Sequence, residues 1–293
     1  GHFSTRHNCQ YNWPKLEQIP DILAELASVQ MHAIQTSGNC VRNISSDHFG
    51  GIAKDEIVDS FVWCEIVRQW STFHPEFNWL PRKFKIAING AVADRAAIAV
   101  HDIGLTAVRN AAGEVGFKFM VGGGLGRTPI IGSTINEFVP WQDLLTYTQA
   151  VMRVYNQFGR RDNKYKARIK ILVKAVGAEE FARMVEQEFA DLKGGPETLT
   201  REELDRVAAY FNPPPYAALE NIDPRAGHES NRAFQNWLQR NVKPHKMAGY
   251  ASVVLSLKKT GVPPGDATAE QMDFVADLAD RYSFGELRVT HEQ

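Results

Sequence analysis

Hydrophobic positions in the first half of the chain follow a helical spacing and then a strand spacing. Apolar residues at helical intervals predict helices over residues 16–27 and 57–67. Farther along, apolar residues recur at strand spacing over 83–89, 97–103 and 115–121, which predicts three strands. Strands with this pattern favour an antiparallel sheet that packs one face on a hydrophobic core.

The following part of the chain has mainly helical spacing. The glycine and proline clusters of residues 194–246 predict a linker with a short helix near 234–238. Four longer helices are predicted before and within this region, from Pro140, over 165–175, over 178–191, and from Thr200 with Glu203 completing a capping box.

Both ends of the chain have extended segments. Residues 3–12 read as extended, and Thr5 and Arg6 correspond to Thr290 and His291 near the other end, which suggests a repeat of half-molecules. So short a match also arises by chance. The last part of the chain predicts a strand over 251–257, a helix with a Thr268/Gln271 capping box, and a strand from Glu286.

Composition indicates a soluble globular protein. The 293 residues carry 33 Lys and Arg against 34 Asp and Glu, so a surface built wholly for nucleic acid or an anionic membrane is excluded. No apolar run approaches the ~20 residues of a membrane-spanning helix, and we expect a cytoplasmic protein. Because the chain begins at Gly1 and ends at Gln293 directly after a predicted strand, both ends resemble cuts, and we expect an internal fragment.

The cysteines and histidines do not form a recognisable site. Cys9, Cys40 and Cys64 are an odd, widely spaced set that fits neither a disulfide framework nor a metal-binding pattern. The histidines have no metal-ligand spacing, and no nucleophile, base and acid arrangement is apparent. We therefore expect three reduced thiols and no metal ligands in this chain.

The strongest local signal is positive charge in residues 159–170, where six of twelve residues are Lys or Arg. On a helix, Lys164 would lie next to Arg168 and Lys166 next to Lys170, in two adjacent rows of like charge. Such rows repel each other, so a bound anion is predicted between them. The alternative is a solvated basic face.

Further arginines lie beside turn signals, namely Arg6, Arg42, Arg82 and Arg127. A guanidinium group presents two parallel donors that match carboxylates and oxyanions, although each arginine alone is also typical of an ordinary surface. We treat them as anion-binding candidates.

A glycine run, Gly122, Gly123 and Gly124, follows the third predicted strand. Glycines there let the backbone approach a ligand closely and offer N–H donors. The run lacks the Lys-Ser/Thr of a phosphate loop and the helix of a dinucleotide fingerprint, so it is not a nucleotide motif. A plain tight turn is the alternative.

Taken in order, these motifs resemble the sulfite and nitrite reductases that use sirohaem, and most of all the bacterial assimilatory sulfite reductase haemoprotein (beta) subunits. The likeness covers nearly the whole chain. It is carried by residues 4–10 (STRHNCQ), 38–43 (GNCVRN), 80–85 (LPRKFK), 116–125 (GFKFMVGGGL) and 161–170 (RDNKYKARIK).

The resemblance implies an α+β fold, with an antiparallel sheet domain that binds sirohaem and parts of two ferredoxin-like half-repeats around it. It implies four segments. They are the C-terminal part of the first half-repeat (1–47), the sirohaem and oxyanion domain (48–193), a linker with short helices (194–246) and the N-terminal part of the second half-repeat (247–293).

The resemblance also implies the chemistry, which is six-electron reduction of sulfite to sulfide, or of nitrite to ammonia, at sirohaem coupled to a 4Fe–4S cluster. A flavoprotein or a ferredoxin would donate the electrons, and neither nucleic acid nor membrane is implied. The residues implied to bind the substrate oxyanion are Arg6, Arg82, Arg168 and Lys170, with Lys170 as the better proton donor. Those implied to hold the macrocycle are Arg42, Gly122, Gly123, Gly124, Arg161, Lys164 and Lys166.

One departure from the family pattern changes the expectation. The family holds its cluster with two pairs of cysteines, and none of the three cysteines here matches them. We therefore expect the cationic half of the site without the cluster ligands, and no catalysis by this chain alone. A non-catalytic tetrapyrrole-binding module and a nucleic-acid binder that uses the 159–170 cations are the alternatives.

Overall fold

The computed structural model describes residues 1–292 and divides them into two compact units. The sheet unit comprises Trp13–Asp47 and Ile57–Phe211. The terminal unit comprises Gly1–Asn12, His48–Glu56 and the chain from Asn212 onwards. These units follow spatial contacts and combine distant parts of the chain, and the four-segment division stays a prediction.

The structure contains both strands and helices in each unit. The strands are β1 (His2–Phe3), β2 (Cys9–Gln10), β3 (Ser45–Ser46), β4 (Ile86–Asn89), β5 (Ile103–Arg109), β6 (Val115–Val121), β7 (Ser133–Pro140), β8 (Val242–Pro244) and β9 (Ala251–Val253). The helices are α1 (Ile19–Ser28), α2 (Ser60–Ser71), α3 (Leu144–Phe158), α4 (Ile169–Val176), α5 (Ala178–Leu192), α6 (Arg201–Ala208), α7 (Arg232–Asn241) and α8 (Ala269–Tyr282).

A five-stranded sheet in the order β3-β4-β5-β6-β7 forms the centre of the sheet unit. Neighbours from β5 to β7 are antiparallel, as predicted, and β3, β4 and β5 run parallel to one another, so the sheet is mixed. Phe117 and Phe119 on β6 are completely buried, and the Trp63 ring meets Phe117 edge-on at 5.0 Å. Burial of these large rings is the main stabilising contribution in this layer.

The sequence prediction was wrong between residues 97 and 103. This segment forms a 3-10 turn over Ile98–Val100, and the strand begins only at Ile103. The Asp94 carboxylate accepts hydrogen bonds from the amides of Ala96 and Ile98, and Ala97 has a left-handed φ of 53°. A side chain that bonds to nearby amides in this way turns the chain where periodicity alone indicates a strand.

Other predicted elements differ in their extent. The strand predicted over 251–257 pairs only over Ala251–Val253, and no strand forms from Glu286 within the described residues. β7 was not predicted, because its side chains are mostly half-buried and do not alternate clearly. The predicted capping box forms at α8, where Thr268 and Gln271 cap the helix reciprocally. At α6 only the Thr200 hydroxyl caps the helix, and the Glu203 carboxylate binds Arg206 instead of completing the predicted box.

The terminal unit brings together the two segments that the repeat suggested. The His291 Nδ1 lies 2.8 Å from the carbonyl oxygen of Thr5, and the rings of His7 and His291 have centroids 4.4 Å apart. None of the helices between residues 1 and 292 is long and apolar enough to cross a membrane.

Candidate functional site

The pair formed by Asp102 and Arg168 lies at the centre of the candidate site in the sheet unit. Asp102 directly precedes β5 and is completely buried. Arg168 is the residue before α4, and its guanidinium donates to both Asp102 carboxylate oxygens at 2.7 Å, with Nε at 2.9 Å from Oδ1. Burial raises the pKa of Asp102, while the Arg168 guanidinium acts against that rise.

The glycine run after β6 packs closely on this pair. The Gly122 amide donates to the Asp102 carbonyl at 3.0 Å, and Gly124 and Ile130 exchange two backbone hydrogen bonds of 2.9 Å. A Cβ on Gly123 would lie 2.3 Å from the Ala99 carbonyl oxygen. The glycines are therefore needed for close backbone approach. The expected N–H donors of Gly122 and Gly124 already bind carbonyls of the protein, which corrects that part of the prediction.

Lys170, in the first turn of α4, is 6% exposed and fixed by the same loop. Its Nζ donates to the carbonyl oxygens of Leu125 at 3.0 Å and Thr128 at 2.7 Å. Burial lowers the pKa of Lys170, and the neighbouring Arg168 lowers it further. The ammonium group is consequently held in place by the chain itself.

Three more cations, Arg42, Arg82 and Lys83, contribute positive charge to the same region. Burial lowers the pKa of Lys83, and Arg42, Arg168 and Arg82 lower it further. The Arg42 guanidinium is anchored, because it donates to the Thr36 and Gly38 carbonyls. Within residues 1–292, by contrast, the side chains of Arg82 and Lys83 make no hydrogen bond or ion pair, so their donors are available to a ligand.

These five side chains form one group, which we call the cationic cluster: Arg42, Arg82, Lys83, Arg168 and Lys170. Asp102 binds Arg168 and also acts electrostatically on Lys83 and Lys170. Five cations and this one carboxylate leave an excess of positive charge in a half-buried place, which is unfavourable without an anionic partner. The cluster therefore fits a group rich in carboxylates, as sirohaem is.

The remaining basic residues of 159–170 do not form the helix that was predicted. Asn163 accepts a hydrogen bond from the Tyr165 amide at 3.0 Å, and α4 begins only at Ile169. The side-chain hydrogen bonds of this segment favour a turn, so the two rows of like charge on a helix do not exist. That prediction was wrong.

Arg161, Lys164 and Lys166 lie on this exposed turn. Arg161 donates to the Trp79 carbonyl at 2.9 Å and to Asn156, which fastens the turn to the sheet unit. The Lys164 ammonium lies 5.3 Å from the Tyr165 ring centroid. Among the interactions of the described residues, none joins Lys164 or Lys166 to the cationic cluster.

Arg6 belongs to the terminal unit, where it is 8% exposed. Its neighbour His7 is neutral because burial, followed by the charges of His291, Arg6 and His48, lowers its pKa from 6.5 to about 3. Arg82, Arg168 and Lys170 are thus brought together in the sheet unit, and the role of Arg6 at the substrate stays a prediction.

Sequence reasoning missed two residues of the site. Lys83 stands beside Arg82 in the LPRKFK motif, and its place on a predicted strand gave it no separate signal. Asp102 lies within the segment that was predicted as a strand. A lone aspartate just before a hydrophobic strand carries no motif, so only the fold reveals its pairing with Arg168.

The described residues offer no site for the iron–sulfur cluster. Cys40 donates its S–H to the Ser37 carbonyl and Cys64 to the Ser45 carbonyl, while Cys9 lies in the terminal unit. In residues 1–292 no group of three or more His, Cys, Asp or Glu side chains could hold a metal ion.

Comparison with known proteins identifies the family. The family model described as nitrite and sulphite reductase 4Fe-4S domain matches residues 37–192, and the nitrite/sulfite reductase ferredoxin-like half domain matches 259–293. A sulfite reductase [ferredoxin] of Mycolicibacterium paratuberculosis is 32% identical over 64% of this chain and 33% of its own length. The chloroplastic ferredoxin–nitrite reductase of Arabidopsis thaliana is 30% identical over 99% of this chain and 45% of its own length.

A solved structure agrees with these matches. The Mycobacterium tuberculosis NirA protein superposes with a TM-score of 0.60 at 31% identity, over 65% of this chain and 34% of that chain. The chain therefore spans about a third to a half of the length of these relatives.

The mixed sheet and its helices make this an α+β protein that carries a cationic cluster. The family match, which covers more than half of the chain, goes further. The chain belongs to the nitrite and sulfite reductase family. This confirms the resemblance carried by the five motifs and the α+β fold with a ferredoxin-like half near the C-terminal part.

Proposed function

We propose that this chain forms the sirohaem- and oxyanion-binding part of an assimilatory sulfite reductase, which reduces sulfite to sulfide with six electrons. The observation that carries this proposal is the cationic cluster of five Lys and Arg side chains, in which the Asp102 carboxylate binds Arg168 and acts on Lys83 and Lys170. Sirohaem carboxylates and a small oxyanion would together offset this charge.

Arg82 and Lys83 bind the oxyanion in this proposal, because their donors are not engaged by described residues. Arg168 and Lys170 contribute charge from fixed positions, since Nε and Nη2 of Arg168 are bound to Asp102 and the Lys170 Nζ is bound to two loop carbonyls. The sequence-based hypothesis instead assigned Arg6, Arg82, Arg168 and Lys170 to the oxyanion, with Lys170 as the better proton donor. Donors fixed before the reaction stabilise charge that develops on a departing oxygen.

Proton supply is assigned to Lys83 for the same reason. Lys170 has two hydrogen bonds to carbonyls of the loop, which hold its protons away from a ligand. The neighbouring cations and burial lower the pKa of Lys83, and a lowered pKa makes an ammonium group a better general acid. Sirohaem, when bound, would transfer to the substrate the electrons that an external donor provides.

We assign the binding of sirohaem to the cations that the resemblance implied. Arg42 lies in the cationic cluster, and Arg161, Lys164 and Lys166 lie on the exposed turn before α4. Guanidinium and ammonium groups suit the carboxylates of the macrocycle. The glycine run contributes room for close approach at Gly123.

The 4Fe–4S cluster requires ligands from outside the described residues. The relatives are two to three times longer than the matched region. We infer that polypeptide corresponding to the unmatched part of these relatives supplies the cysteines that bind the cluster. This chain alone would then bind cofactor and substrate without reducing them. A ferredoxin, which forms part of the names of these relatives, is the favoured electron donor. A flavoprotein donor and a cytoplasmic location remain predictions.

Nitrite is the second candidate substrate. The Arabidopsis thaliana nitrite reductase aligns with 99% of this chain, whereas the sulfite reductase of Mycolicibacterium paratuberculosis aligns with 64%. A tetrapyrrole-binding module without catalysis is the alternative from another functional class. The substrate candidates are separated by measuring whether sulfite or nitrite perturbs the absorption spectrum of the sirohaem-loaded chain.

The proposal is tested by titrating the chain with sirohaem and following absorbance and retention on gel filtration. We expect stoichiometric binding that Arg42→Gln weakens and that Lys174→Gln, an exposed cation on α4, leaves unchanged. A chain that stays colourless after reconstitution, or equal retention by both variants, would contradict it.

A further inference from the structure

We propose that Asp102 is a positioning residue of the anion site. Its carboxylate holds Nε and Nη2 of the Arg168 guanidinium, and its backbone carbonyl holds the start of the glycine loop, so that Arg168 supplies charge to the cluster from a fixed position. This inference rests on the proposed function, since it concerns how the same site receives an oxyanion.

Three parts of the sheet unit converge on Asp102. The Lys85 amide, just before β4, donates to Oδ2 at 2.8 Å. Arg168, just before α4, donates to both carboxylate oxygens at 2.7 Å. The Gly122 amide, just after β6, donates to the Asp102 carbonyl at 3.0 Å. One residue thus ties together the segments that carry the cationic cluster.

The geometry leaves Arg168 little freedom to follow a ligand. Asp102 is completely buried, and the Arg168 side chain is only 14% exposed. A buried carboxylate that loses its guanidinium keeps only the Lys85 amide as a donor, so the ion pair is maintained when an anion approaches. Gly124 packs against both Arg168 and Lys170, since a Cβ at this position would lie 3.4 Å from Arg168 Nη2 and 3.0 Å from Lys170 Cδ.

A purely electrostatic role and a positioning role of Asp102 predict opposite changes in anion affinity when Asp102 is made neutral. Removing a negative charge beside a cationic cluster would tighten anion binding by Coulomb attraction. If Asp102 instead orders Arg168 and the loop, its removal lets the guanidinium move and weakens binding. The sign of the change in affinity therefore separates the two roles.

The experiment measures the affinity of inorganic sulfate, a probe that is not reduced, for the full chain by isothermal titration calorimetry. We expect Asp102→Asn to weaken sulfate binding about 3- to 30-fold, a range typical of coupled contacting residues. The double variant D102N/R168Q should bind like R168Q alone, because Asp102 acts through Arg168. Tighter binding by D102N, or additive effects in the double variant, would overturn the proposal.

A measurement on the unmodified chain guards against a variant that does not fold. The Arg168 Nε–H donates to a buried carboxylate, so NMR should show it exchanging with solvent more slowly than the Nε–H of Arg82. Equal exchange would overturn the positioning role. Absence of sulfate binding by the wild-type chain, with Arg168 protected, would contradict the proposed function and leave the Asp102–Arg168 geometry supported.

Discussion

Gly124 lies directly against Lys170, so that a Cβ at position 124 would come within 3.0 Å of Lys170 Cδ. The glycine loop and the first turn of α4 therefore approach each other closely, and a larger residue at position 124 would require the Lys170 side chain to shift. The Lys170 ammonium donates to the carbonyl oxygens of Leu125 and Thr128 in this loop. The glycine run is thus part of how the site fixes one of its cations.

This relationship predicts different costs for two neighbouring glycine substitutions. A Cβ at Gly123 would meet the backbone oxygen of Ala99 at 2.3 Å, which cannot move independently, whereas a Cβ at Gly124 meets a flexible lysine stem. We expect Gly123→Ala to lower the free energy of unfolding by about 1–3 kcal/mol, and Gly124→Ala to lower it less. Urea denaturation of both variants measures the difference, and equal losses would show that the loop relaxes freely.

The family and most of the fold could be predicted from the sequence because their signals are local. Alternation over 115–121 predicted β6 without error, and the Thr268/Gln271 pattern predicted the start of α8. The turn at Ala97 depends on the Asp94 side chain binding two amides, which hydrophobic periodicity does not report. The same holds for residues 159–168, where Asn163 closes a turn before α4.

The sequence was enough to predict that the site contains several cations, but not how their side chains are arranged. Guanidinium and ammonium groups are recognisable by type, so Arg82, Arg168 and Lys170 could be named as candidates, and their role at the substrate stays a prediction. Which of them has available donors depends on partners distant in sequence. Asp102 is 66 residues from Arg168, and nothing local marks that pairing.

A second prediction concerns the Arg153 network that joins α3 to α5 in the sheet unit. Arg153 donates to the Glu76 carboxylate at 2.6 and 2.7 Å and to Glu188 at 3.0 Å. Arg153→Met should lower the free energy of unfolding by about 1 kcal/mol, because charge-assisted hydrogen bonds are lost from a partly screened place. Thermal or urea denaturation tests this value.

The matched control for Arg153 is Arg183, which forms an exposed pair with Glu180 one turn away on α5. Water already solvates both partners of that pair, so Arg183→Met should change stability little. Equal destabilisation by the two variants would mean that partial burial contributes nothing to the Arg153 network.

A third prediction concerns stability against pH in the terminal unit. Burial and three basic neighbours lower the pKa of His7 from 6.5 to about 3. Between these two pH values, His7 is protonated in the unfolded chain and neutral in the folded chain. The stabilising effect of neutral His7 is therefore complete above pH 6.5 and is lost as the pH falls toward 3. The slope contributed by this residue reaches about 1.4 kcal/mol per pH unit.

Urea denaturation between pH 7 and pH 4 measures this contribution by comparison of variants. His7→Gln removes the titrating ring and should make the loss of stability shallower, while His228→Gln, at an exposed position, should leave the slope unchanged. Identical slopes for wild type and His7→Gln would show that His7 is protonated in the folded protein.

The last prediction concerns Lys83, whose ammonium has no partner among residues 1–292. Burial and the charges of Arg42, Arg168 and Arg82 lower its pKa, and a bound anion would raise it again. Sulfate affinity should therefore be full below the pKa of Lys83 in the unliganded chain and fall as the pH rises through it, at a lower pH than the ~10.4 of an ordinary lysine. Lys83→Gln should weaken sulfate binding about tenfold at pH 7, which corresponds to about 1.4 kcal/mol, and reduce this pH dependence to the part that Lys170 contributes.

Lys164→Gln, on the exposed turn outside the cationic cluster, should retain both the affinity and the pH profile. If Lys164→Gln weakened binding as much as Lys83→Gln, general surface charge rather than the cluster would be responsible for holding the anion.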